Sequence, residues 1–246
     1  MITMRHPISR LTAVLALALL AAPQLAHAQR PAAGAPLALP RFYGGGGLLG
    51  AQPRGEFADF VDAGFGVGGH AIVRLDERGL FGIRLDGGFL NYGSETKRVP
   101  LSSTIGGRIQ VDVNTTNNIF FLGAGPQLLL PTGSFRPYVN GNVGLSVFAT
   151  TSSVEGANNS EPFASDDNYA DVTFAYGGGA GLYIPVYRGK STISLDLGAR
   201  YHSNGRVKYL REGSIVDLPN GDIEITPIRS RADLITYHLG VSIGAR

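Results

Sequence analysis

Two adjacent stretches of strict alternation constrain the fold more than any other feature of the sequence. In residues 191–202, every second side chain from Ile193 onward is apolar, and the side chains between them are small, polar or charged. A second alternating stretch, 174–186, precedes it, and only residues 187–190 separate the two. A period of two over this length predicts two antiparallel β-strands joined by a tight turn, each with one apolar and one polar face.

This hairpin pattern recurs along the chain and predicts eight strands. They are residues 41–50, 60–76, 79–93, 116–131, 135–153, 169–187, 191–207 and 232–245. Their connections alternate between tight turns (76–79, 131–134, 187–190) and longer segments (51–59, 94–115, 154–168, 208–231). In an up-and-down barrel, successive connections fall on opposite rims, so one rim is expected to carry short turns and the other long loops.

The N-terminal segment has the organisation of a secretory signal peptide. Arg5 and Arg10 precede an apolar run at 11–22, and a small-residue cleavage site ends at Ala28. The run is shorter than the roughly 20 apolar residues of a spanning helix, which argues against a membrane anchor. We therefore divide the chain into a cleaved signal peptide (1–28), a flexible Pro/Ala-rich leader (29–40) and one folded domain (41–246).

Composition excludes several classes of protein. The chain carries 21 basic and 19 acidic residues, and removal of the two signal-peptide arginines leaves a formally neutral mature protein. A neutral chain without a basic patch is not expected to bind nucleic acid. The chain has no cysteine, so a disulfide framework and a cysteine-ligated metal site are both excluded.

The two faces of the predicted strands distinguish a membrane barrel from a soluble one. The apolar face carries rows of Phe, Leu, Val and Ile, whereas the opposite face is rich in Gly and hydrogen-bonding side chains with isolated charges. Such a face suits the crowded interior of an eight-stranded barrel, which side chains just fill. The alternative is a lipocalin-like soluble barrel with its apolar face inward, a class that does not require the alternation of short and long connections.

The chain resembles the small outer-membrane β-barrel proteins, namely the OmpA-type transmembrane domain and its opacity-protein and OmpW-like relatives. The signal peptide, the Gly-rich first strand Phe42–Gly47, the repeated hairpins and the last strand Leu234–Ala245 carry the resemblance. It implies an all-β fold: an eight-stranded antiparallel up-and-down transmembrane β-barrel with short periplasmic turns and longer extracellular loops. It also implies location in the outer membrane of a Gram-negative-type envelope. Such proteins usually end on an aromatic residue that the assembly machinery reads, whereas this chain ends Gly244-Ala245-Arg246.

Charged and polar residues on the inward face are the candidate site residues. An unpaired charge in a narrow lumen is costly, so the charged residues are expected to form an ion-pair network. The predicted network comprises Arg74, Arg84, Asp86, Asp196 and Arg200. The other polar lumen residues are His70, Gln127, Asn140, Asn142 and His238. Either the network fills the barrel structurally, or it lines a narrow polar path; a wide pore is excluded because porins have about 16–18 strands.

The tripeptide 202–204 invites comparison with a known enzyme signature. Lipid A deacylases are eight-stranded barrels with a His-x-Ser-Asn signature, but here His202 and Ser203 are adjacent. Neighbouring strand residues point to opposite faces, so the imidazole is not expected to reach the hydroxyl group. The Asn204-Gly205 pair is explained by a turn or bulge, and no catalytic residue is predicted.

The long connections suggest surface features. The acidic residues in and beside 154–168 match no calcium-loop spacing, so a solvated acidic loop is expected, with no metal and no cofactor. Asn220-Gly221 between alternating residues predicts a β-hairpin above the barrel, and segment 97–113 is a candidate for another.

These patterns predict an integral outer-membrane barrel with a structural or surface-interaction role rather than an enzyme. Its expected partners are outer-membrane lipid, the outer-membrane assembly machinery and an extracellular ligand or protein bound through loops 94–115, 154–168 and 208–231. The alternatives are a narrow-lumen transporter or channel for a small solute and a lipid A-modifying hydrolase.

Overall fold

A computed structural model describes residues 40–76, 79–101, 109–130, 135–156, 159–218 and 222–245. The predicted signal peptide, nearly all of the predicted leader and the predicted turn at 131–134 lie outside these ranges. Within them, no helix combines the length and the hydropathy of a membrane span.

Eight antiparallel strands close into a barrel. They are β1 (Phe42–Pro53), β2 (Gly64–Arg74), β3 (Phe81–Pro100), β4 (Gln110–Leu129), β5 (Arg136–Gly156), β6 (Asn159–Arg188), β7 (Thr192–Asn204) and β12 (Leu234–Ala245). From β1 to β7 each strand pairs with the next, and β12 pairs with both β7 and β1 to close the ring. The predicted up-and-down topology is confirmed.

The apolar rows face outward. Leu239, Leu145 and Leu122 are each more than half exposed, and exposed apolar side chains also lie on each of the other barrel strands. Aromatic side chains ring the outer surface near both ends of this apolar band: Phe42, Phe81 and Phe135 towards the short turns, and Tyr176, Tyr201 and Tyr237 towards the long connections. An apolar band between two aromatic girdles is the outer surface of a transmembrane barrel, so the inward-facing alternative is wrong.

Two segments predicted as loops are strands instead. β3 and β4 continue their pairing as far as Pro100↔Gln110, and β5 and β6 as far as Gly156↔Asn159. The prediction of a loop at 154–168 is therefore wrong for most of its residues, whereas the described ends of segment 97–113 pair as the candidate hairpin requires. One face of these strand ends is polar and the other mixes polar residues with valines, so the apolar alternation that identifies a half-buried strand is weak there.

The extended ends of β3, β4, β5 and β6 form a four-stranded sheet beyond the barrel wall. β2 pairs with β3 only up to Asn91, and β7 pairs with β6 only from Ala175 onward. Beyond these points the strand pairing continues only between β3 and β4, β4 and β5, and β5 and β6. We call residues 93–100, 110–117, 150–156 and 159–170 the projecting sheet.

The connection between β7 and β12 also contains paired strands. They are β8 (Arg206–Tyr209), β9 (Ile215–Asp217), β10 (Ile223–Ile225) and β11 (Ile228–Arg231), and β8 pairs with β11 and β9 with β10. The β9–β10 pair is the hairpin predicted from Asn220-Gly221, although residues 219–221 themselves lie outside the described ranges.

A buried apolar cluster fills the barrel at the rim of the long connections. Phe57 comes from a 3-10 helix (Gly55–Asp59) between β1 and β2, and Val207 and Tyr209 come from β8. They pack against inward-facing side chains of the barrel strands, including Leu90, Tyr92, Ile119, Phe148 and Leu234. We call this cluster the rim plug. The strand pattern did not predict it, because Phe57, Val207 and Tyr209 lie in short elements without a readable period.

Candidate functional site

Asp86 on β3 is the centre of the charged layer in the lumen. Its Oδ1 atom lies 2.7 Å from Arg84 Nε and 2.9 Å from Arg200 Nη2. Arg84 also donates hydrogen bonds to Gln127 Oε1 and to the Tyr183 hydroxyl group. The structure thus brings together four of the predicted lumen residues, Arg84, Asp86, Gln127 and Arg200, all of them buried.

Asp196 forms a separate cluster with neutral or titratable partners. Its Oδ1 atom accepts a hydrogen bond of 2.8 Å from the Tyr138 hydroxyl group and lies 3.1 Å from His238 Nε2. His70 Nδ1 lies 3.7 Å from Oδ2. In the described part of the chain no arginine lies within ion-pair distance of Asp196, because Arg84 and Arg200 both bind Asp86. The expected Asp196–arginine pair is not formed.

Arg74 lies apart from the predicted network. It is the last residue of β2, so its side chain lies at the short-turn rim, where its guanidinium group stacks 4.5 Å from the centre of the Tyr43 ring. No carboxylate pairs with it among the described residues, and its Nη1 atom has no hydrogen-bond partner there. The position at the strand end explains why Arg74 does not join Arg84 and Asp86.

The remaining predicted polar residues have simpler surroundings. Asn140 and Asn142 are partly buried on β5, and the buried Oδ1 atom of each has no hydrogen-bond partner in the described ranges. Asn142 borders a cavity of about 10 Å³ with Ser146 and His202. A cavity of this size holds at most one water molecule.

The lumen contains a Ser–His–Asp series of contacts but no space for a substrate. His70 Nε2 lies 3.2 Å from Ser242 Oγ, and its other ring nitrogen contacts Asp196 as described above. The adjoining cavity is about 40 Å³, which is enough for a few water molecules. The rim plug closes the lumen on the side of the long connections. The cavity is therefore too small for a lipid or sugar substrate.

The side chains of His202, Ser203 and Asn204 diverge. His202 Nε2 lies 3.0 Å from Thr236 Oγ1 in the lumen, whereas Ser203 Oγ accepts a hydrogen bond from Arg231 outside it. The Asn204 amide donates to the Ala232 carbonyl oxygen. The three groups do not share a substrate position, as their spacing in the sequence indicated.

A further cavity lies on one face of the projecting sheet, and we call it the rim cleft. Its volume is about 210 Å³. Its hydrogen-bonding floor consists of Thr115, Asn117, Thr150, Ser152 and Asn168. Its charged side chains are Glu95, Lys97, Arg211, Glu212 and Asp217. Its apolar side chains are Val99, Val113, Leu210, Ile215 and Ile223.

Hydrogen bonds hold the walls of the rim cleft in place. Lys97 Nζ lies 3.3 Å from Glu95 Oε1 and donates to the Ile215 carbonyl oxygen, while Glu95 accepts from the Gly213 backbone N–H. These contacts join the projecting sheet to the segment before β9. On the floor, Thr115 Oγ1 lies 2.8 Å from Ser152 Oγ. The cleft is therefore a preformed site between two parts of the chain.

The sequence did not reveal the rim cleft as a site. Its lining residues are spread over four strands and one long connection, and only the strand pairing brings them together. Only the geometry of a strand could have grouped part of the lining, because every second residue, 95, 97 and 99, lies on the same face. No group of three or more potential metal ligands is found in the part of the chain that the structure describes.

Comparison with solved structures gives relatives of low sequence identity. The chain is similar to neisserial surface protein A (NspA), with 14% identity, a TM-score of 0.49 and coverage of 83% of this chain and 97% of that one. It is also similar to Ail, the attachment invasion locus protein of Yersinia pestis, with 13% identity, a TM-score of 0.44 and coverage of 83% and 98%. No curated protein sequence matches the chain.

Comparison with protein families gives a match over most of the chain. The sequence model of the family described as outer membrane protein beta-barrel domain matches residues 12–225. The closed ring of eight strands, the apolar outer surface and the two aromatic girdles agree with this match. The chain belongs to the outer membrane protein beta-barrel domain family, and it is an integral protein of the outer membrane with its long connections exposed at the cell surface.

Proposed function

We propose that this protein binds a small extracellular ligand in the rim cleft. The observation that carries the proposal is the cleft itself, a preformed cavity of about 210 Å³ on the exposed side of the barrel. All three segments expected to bind an extracellular partner contribute: 94–115 and 208–231 supply most of the lining, and 154–168 supplies Asn168. Binding sites are typically concave, largely preformed and lined by a few convergent polar groups.

The lining favours a ligand that has hydroxyl groups and an apolar face. Hydroxyl and amide groups cover the floor, and aliphatic side chains form part of the walls. A sugar residue has both features, because its ring carries hydroxyl groups at the edge and C–H groups on its faces. The volume is below the roughly 300–1,000 Å³ of pockets for drug-sized ligands, so the cleft fits one small ligand or one projecting group of a larger one.

The lumen supports a structural role better than transport or catalysis. The rim plug and the Asp86 layer fill the barrel in succession, and the cavity between them is about 40 Å³. The separation of His202 from Ser203 argues against a lipid A hydrolase. In this proposal the partners are the lipid around the barrel, the assembly machinery that inserts it and the extracellular ligand.

A matched pair of substitutions tests the proposal. Thr115 and Thr116 are neighbours on β4, but only Thr115 lines the rim cleft. Thr115→Trp fills the cleft, whereas Thr116→Trp adds the same bulk to the other face of the sheet. Binding of a panel of monosaccharides and disaccharides to the detergent-solubilised protein is measured by saturation-transfer NMR.

We expect at least one sugar to bind the wild type and the Thr116→Trp variant and to lose its signal with Thr115→Trp. Absence of binding to the wild type across the panel would reject the sugar assignment. Equal loss in both variants would place the ligand outside the cleft. Heat-modifiable migration of each variant on a gel verifies that its barrel is folded.

A further inference from the structure

Four cationic side chains oppose one another on the exposed face of the β8–β11 pair. In the register of this pair, Arg206 lies opposite Arg231 and Lys208 lies opposite Arg229. All four are exposed, whereas the alternate residues of β8, Val207 and Tyr209, are buried in the rim plug. Like charges directly opposite each other on a sheet are destabilising. Such an arrangement is stabilised when an anion lies between the cations.

The same four residues continue the surface that contacts lipid. On β12 the outward row runs Ala245, Ile243, Val241, Leu239 and Tyr237. The residues at every second position before Tyr237 include Asp233, Arg231 and Arg229, so these three continue the outward row towards the N-terminus. The cations therefore lie beyond the Tyr201 and Tyr237 girdle, at the height where the headgroups of the outer leaflet begin.

Arg54 extends this cationic surface onto the next strand. It follows the outward row of β1, and its backbone N–H donates to the Asp233 carbonyl oxygen beside β12. We call Arg54, Arg206, Lys208, Arg229 and Arg231 the cationic rim patch. It lies at the ends of β1, β7 and β12, and on its β6 side Asp171 holds the Lys208 backbone next to the projecting sheet.

Nearby carboxylates only partly balance the patch. Arg206 Nη2 lies 3.9 Å from Glu56 Oε1, and Arg231 Nη2 lies 3.5 Å from Asp233 Oδ2. Asp171 accepts a hydrogen bond from the Lys208 backbone. Five cations thus meet three carboxylates in the described residues. In the projecting sheet, by contrast, Arg98 has its own bidentate partner in Asp112.

We propose that the cationic rim patch binds the phosphate groups of a glycolipid in the outer leaflet of the membrane. Guanidinium groups match phosphate oxygens in geometry and form charge-assisted hydrogen bonds with them. The position of the patch, directly above the lipid-facing row, favours a membrane phosphate over a soluble polyanion. The site is distinct from the rim cleft, and neither proposal depends on the other.

The experiment measures retention of lipid A by the detergent-solubilised protein in native mass spectrometry. The probes are bisphosphorylated lipid A and the same lipid without phosphates. The test variant is Lys208→Gln/Arg229→Gln, which removes one cross-strand pair of cations while the buried face stays unchanged. The matched control is Arg98→Gln, which removes an exposed arginine from the projecting sheet.

We expect the wild type and the control to retain the bisphosphorylated lipid, and the double variant to bind it at least about tenfold more weakly. Equal retention of the two lipids by the wild type would overturn the proposal without any variant. Unchanged binding by the folded double variant would also overturn it. Preferential binding of a soluble sulfated polysaccharide at this patch, measured in competition with lipid A, would assign it to a partner in solution and reject the membrane assignment.

Discussion

Arg200 and Asp86 form an ion pair across the barrel, with Nη2 2.9 Å from Oδ1. β7 and β3, which carry them, lie on opposite sides of the ring of eight strands. The same carboxylate oxygen also accepts from Arg84 on its own strand. One buried carboxylate therefore balances two buried arginines and joins opposite walls of the barrel.

Removal of this carboxylate is expected to destabilise the barrel strongly. Asp86→Ala leaves two guanidinium groups buried without their anion, and loss of one member of a buried pair typically costs about 3–5 kcal/mol. The free energy of unfolding is measured by denaturant titration in detergent micelles. Asp112→Ala, which breaks the exposed pair with Arg98, serves as the control and is expected to change little.

Coupling between Asp86 and Arg200 is tested by the double variant Asp86→Ala/Arg200→Ala. Its loss of stability is expected to be smaller than the sum of the two single losses, because one uncompensated charge is removed together with its partner. Additive losses would show that the two residues are not coupled. Asp196→Ala is expected to cost less than Asp86→Ala, since it removes hydrogen bonds from Tyr138 and His238 but no arginine pair.

A charge on the lipid-facing surface is expected to destabilise the barrel, and more strongly the nearer it lies to the middle of the membrane. Leu197→Arg, midway along the outward row of β7, places a cation in the apolar band and should reduce the free energy of unfolding by roughly 2–4 kcal/mol in lipid vesicles. Ser194→Ala, on the lumen side of the same strand, is the control and should have a small effect. Similar losses at both positions would contradict the assignment of the two faces.

The rim plug is expected to stabilise the barrel and to keep it closed to ions. Phe57→Ala removes an aromatic side chain that is 1% exposed and packs edge-on against Tyr92, Tyr209 and Phe148, so it should cost about 3–5 kcal/mol.

In planar bilayers the wild type should give no stepwise conductance. Reproducible conductance steps from the wild type would favour the channel alternative.

The short turn after β2 is expected to depend on pH through Asp76. Hydrogen bonds from the backbone N–H groups of Phe81 and Leu80 lower the pKa of this carboxyl below its ordinary value of 3.8. Since the pKa is lower in the folded state, the stabilisation is present above the ordinary value and is lost as the pH falls through the folded-state pKa.

The substitution Asp76→Asn is therefore expected to lower the stability at neutral pH and to have a diminishing effect as the pH falls below the ordinary carboxyl pKa of 3.8. The measurement is the difference in the unfolding midpoint between wild type and variant across this range. A difference that does not change with pH would show that the carboxylate charge is unimportant in the turn.

The sequence predicted the barrel wall well because each wall strand contacts lipid on one face and packed side chains on the other. Leu195 and Asp196 illustrate the contrast, since the first is exposed outward and the second is 1% exposed in the lumen. The same rule failed for the projecting sheet. Thr96 is exposed and Lys97 lines the rim cleft, but both are polar, so no binary pattern marks their strand.

The partners of lumen residues could not be predicted from the sequence. The alternation placed Asp86, Asp196 and Arg200 in the lumen, but their pairing depends on the stagger of β3 against β7 and on which side chains reach across. Tyr138 illustrates this limit: its ring stacks on Tyr183 and its hydroxyl group binds Asp196, a role that no spacing in the sequence indicated. The rim cleft was missed for a similar reason, because its lining is assembled from distant segments.

The pairing of β1 with β12 has a consequence for the order of folding. This seam joins Phe42 to Ala245, residues separated by nearly the whole folded domain, whereas the other neighbouring wall strands, apart from β7 and β12, follow one another directly in the sequence. Closing so long a loop is slow compared with forming local hairpins. The hairpins can therefore form early, but β1 has an unpaired edge until the last strand arrives, and until then the nascent barrel must be shielded from pairing with other chains.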